Sequence, residues 1–165
     1  MKMSYIKRLT ITALCVALCV VLPMHIPVLL CGLVCGWQYG LLCGILGPLV
    51  SSVLTGMPPA AMLPGMMVEC GMYGCVGGLM MAYIHTGSLY ADLYISLPVA
   101  MLMGRVISGI VKALILTPGL SFTAWATASF VTALPGISIQ LILLPTLIVA
   151  LTRAGLIPGR YAYRR

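Results

Sequence analysis

Between Arg8 and Arg153 the chain carries only four side chains charged at neutral pH: Glu69, Asp92, Arg105 and Lys112. A soluble domain coats itself in charged groups, about a quarter of its residues. Here 7% of the chain is charged and 62% is hydrophobic. No aqueous fold of 165 residues could bury that much apolar surface, so lipid must be the solvent. The length suits one all-α membrane domain of about five to seven spans, at about 20 residues per span. No hydrophilic stretch within it is long enough for a second domain.

A net charge of +7 could point to nucleic acid, but the positions of the charges argue against it. Lys2, Lys7 and Arg8 precede the first apolar run, and Arg153, Arg160, Arg164 and Arg165 follow the last. Basic residues gather on the cytoplasmic side of membrane proteins, which places both ends there and requires an even number of crossings. Tyr161 and Tyr163 read as interfacial anchors. A cleaved secretory signal over residues 1–23 is not expected. No small-x-small site follows, and the run ends in Pro23-Met24-His25-Ile26-Pro27.

Proline and glycine punctuate the apolar runs into six predicted spans, about 6–22, 26–36, 39–54, 60–83, 89–117 and 136–152. The stretch 28–53 can be one long helix or two short ones. Trp37-Gln38-Tyr39 suits a membrane interface, which favours a hairpin turning at Gly36–Gly40. Thr55-Gly56-Met57-Pro58-Pro59 reads as a turn, Pro98 as a kink or a helix start, and residues 120–134 as a connector carrying Trp125.

Small residues recur at helical spacing: Ala13 and Ala17, a run Gly32, Gly36, Gly40, Gly44, and Gly74 with Gly78. In lipid such stripes let helix backbones approach closely, either within the bundle or against another membrane protein. For the second use Ala13 and Ala17 are the best candidates. The seven cysteines sit in apolar runs without nearby histidines, so they read as small core fillers rather than a disulfide framework or metal site.

Ionisable side chains inside a span are costly, a few kcal/mol or more each, so Glu69, Arg105 and Lys112 need a purpose. With six helices, Glu69 lies about 14 Å below the outer surface, Arg105 about 18 Å and Lys112 about 8 Å. Glu69 and Arg105 thus share a depth on sequential helices. They can form a salt bridge, line a polar pocket open to the outer face, or do both. His25 is expected in an outer loop, and His85 and Asp92 are expected to meet water near the inner end of the fifth span. No nucleotide-binding loop, zinc-protease motif or nucleophile elbow occurs in the sequence. Solute binding fits this pattern better than catalysis, and no cofactor is expected.

The run Pro23-Met24-His25-Ile26-Pro27-Val28-Leu29-Leu30-Cys31-Gly32-Leu33, followed by Gly36, Tyr39-Gly40 and Gly44, resembles the substrate-specific (S) components of energy-coupling factor (ECF) transporters. So do Leu54-Thr55-Gly56-Met57-Pro58-Pro59, Val68-Glu69-Cys70-Gly71-Met72-Tyr73-Gly74, Gly104-Arg105 and Leu134-Pro135-Gly136-Ile137-Ser138-Ile139-Gln140. Ala13-Leu14-Cys15-Val16-Ala17 is similar to the small-residue contact motif on that family's first helix. The resemblance implies a multi-pass, six-helix protein of a prokaryotic cell membrane that captures a vitamin at its outer face. It would then topple against a transmembrane coupling subunit driven by two ATPase subunits.

Mapped onto this sequence, the implied substrate-binding residues are Glu69, Arg105, Lys112, His25, Tyr73 and Gln140, and the partner contacts are Ala13 and Ala17. Arg105 and Lys112 against Glu69 favour a carboxylate-bearing solute such as pantothenate or folate. Tyr73, Trp125 and Phe130 are few aromatics for a large stacked ring. A small membrane scaffold or assembly protein is the alternative, with Glu69 and Arg105 then forming a closed buried pair. An intramembrane enzyme would need a nucleophile–base or metal pair that the sequence does not display.

Overall fold

The computed structural model describes residues 4–116, 122–127, 131 and 133–157. Among these every regular element is helical: α1 (Tyr5–Val21), α2 (His25–Cys35), α3 (Trp37–Thr55), α4 (Leu63–Tyr83), α5 (Leu89–Val111), α6 (Phe122–Ala126) and α7 (Leu134–Arg153). A π-helical turn, Lys112–Leu116, extends α5. Lys2, Arg160, Arg164, Arg165, Tyr161, Tyr163, Phe130 and the expected end of the fifth span at residue 117 lie outside the described residues.

The breaks have local causes. Helix α1 stops just before Pro23, which cannot continue the helical hydrogen bonding. A single residue, Gly36, separates α2 from α3, and its φ of 102° is open to glycine and strained for other residues. The stretch 28–53 is therefore two helices that reverse at one residue, and Tyr39 and Gly40 lie inside the second. At the other end of α3, Ser51 and Ser52 donate their hydroxyls to the carbonyls of Met57 and Pro58, both at 2.8 Å. These bonds fold the Met57-Pro58-Pro59 turn back onto the helix. Pro64 and Pro135 stand in the first turns of α4 and α7, where a missing N–H costs nothing. Pro98 lies inside α5 and starts nothing.

Among the described residues four helices are long and apolar enough to cross a membrane: Trp37–Thr55, Leu63–Tyr83, Leu89–Leu114 and Leu134–Arg153. Helix α1 has 17 residues and α2 only 11. At 1.5 Å per residue α2 is about 17 Å long, well short of a hydrocarbon core of about 30 Å. Its central side chains do not need to match lipid, however. Val28, Leu29 and Cys31 are wholly enclosed by the neighbouring helices.

Helix α4 is the hub, packed against α2, α3 and α5. Its backbone touches theirs directly. A methyl added at Gly74 would run into the backbone of Gly40, one at Gly32 or Gly40 into that of Gly74, and one at Gly44 into that of Cys70. Gly78 faces the backbone of Gly36 and Trp37. Rising numbers on α4 meet falling numbers on α3, and Gly65 and Gly77 likewise meet Lys112 and Ala100 on α5, so both neighbours run antiparallel to α4.

The sequence placed Gly32, Gly36, Gly40 and Gly44 in one stripe. The fold divides them: Gly32 belongs to α2, Gly36 is the hinge, and Gly40 and Gly44 belong to α3. Gly32, Gly40 and Gly44 serve internal packing, and Gly36 serves the turn. Cys15 and Cys19 of α1 face the core with Thr12, and Ala13 and Ala17 are exposed on its other side. Six cysteines are buried and Cys75 is half-buried, all of them free thiols. They make scattered contacts, such as Cys31 with Thr12 at 3.4 Å, that suit core packing.

Candidate functional site

Glu69 and Tyr73 are one helical turn apart on α4, so they share a face. Arg105 and Lys112, two turns apart on α5, face them across the antiparallel seam. Two glycines open the space between the helices. Gly65 has no side chain where the stem of Lys112 lies, and a methyl there would stand 2.6 Å from Lys112 Cε. Gly104 leaves a slot that a methyl would fill with direct collision against the ring of Tyr73.

The polar atoms then form a chain. Lys112 Nζ pairs with Glu69 Oε2 at 3.1 Å. The Tyr73 hydroxyl donates to Glu69 Oε1 at 2.9 Å, and Arg105 Nε donates to the Tyr73 hydroxyl, also at 2.9 Å. The expected direct salt bridge between Glu69 and Arg105 is therefore not what forms. Tyr73, seated in the slot over Gly104, stands between them, and Lys112 takes the carboxylate.

Arg105 is only 8% exposed, and its Nη1 is buried with no hydrogen-bond partner. Glu69 and Lys112 are more open, at 18% and 30% side-chain exposure. His25 opens α2 instead of sitting in a loop, and its ring lies 5.4 Å from that of Tyr73 at a 51° tilt. The structure thus brings His25, Glu69, Tyr73, Arg105 and Lys112 together. Gln140 stands apart from this hydrogen-bonded chain, buried on α7 with its Oε1 unpartnered.

Two further features were not anticipated. Trp125 of α6 lies with its indole against Gly109, one turn beyond Arg105 on α5, where a methyl would collide with it. Helix α6 is thereby held beside α5 at Trp125. Asp92, expected to meet water, is fully buried. It accepts hydrogen bonds from the Thr86 backbone N–H at 2.9 Å and from the Thr86 hydroxyl at 2.7 Å. The preceding connection folds back over the first turn of α5, where a carboxylate is also favoured by the helix dipole. His85 is exposed, as expected.

Among the described residues no group of three His, Cys, Asp or Glu side chains could hold a metal ion. A separate groove of about 420 Å³ between α3 and α4, lined by Leu41, Ile45, Met67 and Met72 among others, is wholly apolar. The polar chemistry of the α4–α5 seam is thus a chain of fixed donors around one carboxylate, with a buried Arg105 Nη1 that finds no acceptor among the described residues.

The family model described as "ECF transporter, substrate-specific component" matches residues 7–148. No curated protein and no solved structure matches the chain. The matched span runs from the start of α1 into α7 and contains the whole α4–α5 cluster, and on it this chain belongs to the family of substrate-specific components of ECF transporters.

Proposed function

We propose that this membrane subunit captures a vitamin or related micronutrient at the outer face of a prokaryotic cell membrane and delivers it for import. The site is the α4–α5 cluster of Glu69, Tyr73, Arg105 and Lys112, with His25 beside Tyr73 and Gln140 of α7 as a further solute contact. The solute bears a carboxylate, as pantothenate and folate do. Six helices cross, with both chain ends cytoplasmic. The exposed Ala13/Ala17 face of α1 meets the transmembrane coupling subunit, which two ATPase subunits drive.

One observation carries this reading. Arg105 is buried, and its Nη1 has no acceptor among the described residues. A buried polar group without a partner costs about 1–3 kcal/mol, and more if charged. A scaffold has no reason to bear that cost, whereas a bound solute removes it. The closed Glu69–Arg105 pair that a scaffold would favour is also missing, since Tyr73 separates the two.

The test is mass spectrometry of the chain, purified in detergent and mildly denatured. A vitamin-sized molecule should be released in near-equimolar amount from the native chain and much less from Arg105→Met. If native protein releases nothing and no vitamin raises its melting temperature, the scaffold reading replaces this one.

A further inference from the structure

The whole sequence contains two acidic residues, Glu69 and Asp92. Glu69 is already engaged, by Lys112 on one oxygen and by Tyr73 on the other. Asp92 is bonded to Thr86 at the opposite end of α5, about 20 Å from Arg105 along the helix. Among the described residues no acid therefore answers Arg105. Its Nε is spent on a neutral phenol, and its Nη1 is buried without a hydrogen-bond partner. Lys112 cancels Glu69, which leaves Arg105 as the positive charge of the cluster without an acidic partner.

We infer that the solute this site takes carries one negative charge: a monocarboxylate, in preference to a dicarboxylate, a phosphate ester or a neutral molecule. The inference rests on the solute-binding reading above and narrows it. A neutral solute leaves the charge of Arg105 buried without a counterion. A dianion leaves a negative charge uncompensated in the same low-dielectric seam. Buried charges are tolerated when paired and hydrogen-bonded, and only a monoanion closes the balance. The available contact is also singular. One guanidinium edge offers a charge-assisted hydrogen bond to one carboxylate, while the Lys112 ammonium is held by Glu69. Of the two acids named above, pantothenate has one carboxylate and folate has two, so the charge balance separates them.

The experiment uses the full chain in detergent with matched probes: pantothenate and its alcohol pantothenol, biotin and its amide, and folate as the diacid. Affinity is read by calorimetry and melting temperature. A mono-acid should be the tightest probe, at least tenfold tighter than its neutral counterpart and tighter than folate. Arg105→Gln removes the surplus charge, and the acid should lose its advantage over the neutral probe. Glu69→Gln raises the surplus to two, and folate should gain on the mono-acids by about tenfold. This second variant keeps the outcome readable if the first does not fold, since Tyr73 and Lys112 keep an amide partner.

Where no probe binds but a small molecule is released on denaturation, its charge at pH 7 decides in the same way. A neutral or dianionic molecule as the tightest ligand, or an unchanged ranking in Glu69→Gln, overturns the inference while the solute-binding reading stands. No release and no response to any probe overturns that reading, and this inference with it.

Discussion

The seam between α3 and α4 and the outward face of α1 are both built on small residues one turn apart, yet they are different surfaces. At the seam Gly40 and Gly74 press backbone on backbone, with no room for a methyl on either side. On α1 the small residues are alanines, exposed, with their helix anchored behind them by Cys15 and Cys19. Alanine holds a helix better than glycine by about 0.8–1 kcal/mol, so glycine is worth its cost only where another backbone needs the space. A helix face meant for a later partner can keep its methyls and remain flat. The choice between glycine and alanine, more than the spacing, separates the seam inside the bundle from the exposed face of α1.

Substitutions can break that distinction in order of severity. Gly74→Val should be the worst. Its side chain must enter the Gly40 backbone, which cannot rotate away, so the loss should exceed about 3 kcal/mol. Detergent gel filtration should show aggregated or absent protein, and a monodisperse, stable variant would mean the seam is looser than described. Ala17→Leu, or Ala13→Leu, should leave melting temperature and solute binding unchanged while abolishing uptake and co-purification with the coupling subunits. Lost solute binding with normal assembly would move these alanines to the inside group.

Gly104→Ala should be intermediate. The new methyl meets the ring of Tyr73, a side chain that can shift, at a cost of about 1–3 kcal/mol. The shift pulls the hydroxyl from Arg105 Nε, so solute affinity should fall several-fold by calorimetry even in well-folded protein. Gly136→Ala should do least. Nothing lies within 4 Å of the added methyl, and fewer unfolded conformations should make it neutral or stabilising by up to about 1 kcal/mol. A destabilised Gly136→Ala would reveal a contact from outside the bundle.

Much of the helical plan was legible because its breaks are made by local chemistry. Pro23 and the Thr55–Pro59 turn act on their own backbone, so their effect can be read one residue at a time. Gly36 was legible as a break but not as a one-residue reversal, because its positive φ depends on how closely α2 and α3 pack. The short α2 was legible in its bounds, about 26–36 against His25–Cys35, but not in its burial, which comes from neighbours that no local pattern names.

At the site, the scarcity of charge drew attention to Glu69, Arg105 and Lys112, but it left open which of them pair. Depth counted along the helix axis put Arg105 beside Glu69 and left Lys112 shallower. That count follows backbone positions and ignores the reach of a lysine stem lying over Gly65. Tyr73 could intervene because Gly104 leaves a slot, a clearance that exists only when two helices are in place. Asp92 was misread for a related reason. A short polar connection looks wet in sequence, and only the return of Thr86 encloses it.

The buried cysteines have a practical consequence. Six thiols are sealed in the bundle and the seventh, Cys75, is half-covered, so water-soluble maleimides should find almost nothing to modify on the intact protein. The native chain is thus a dark background on which a cysteine placed at His85 or Met57, both exposed, would label alone, without first stripping out the natural ones. The slow reaction that remains with the unaltered chain would be a clock for how often the helices part.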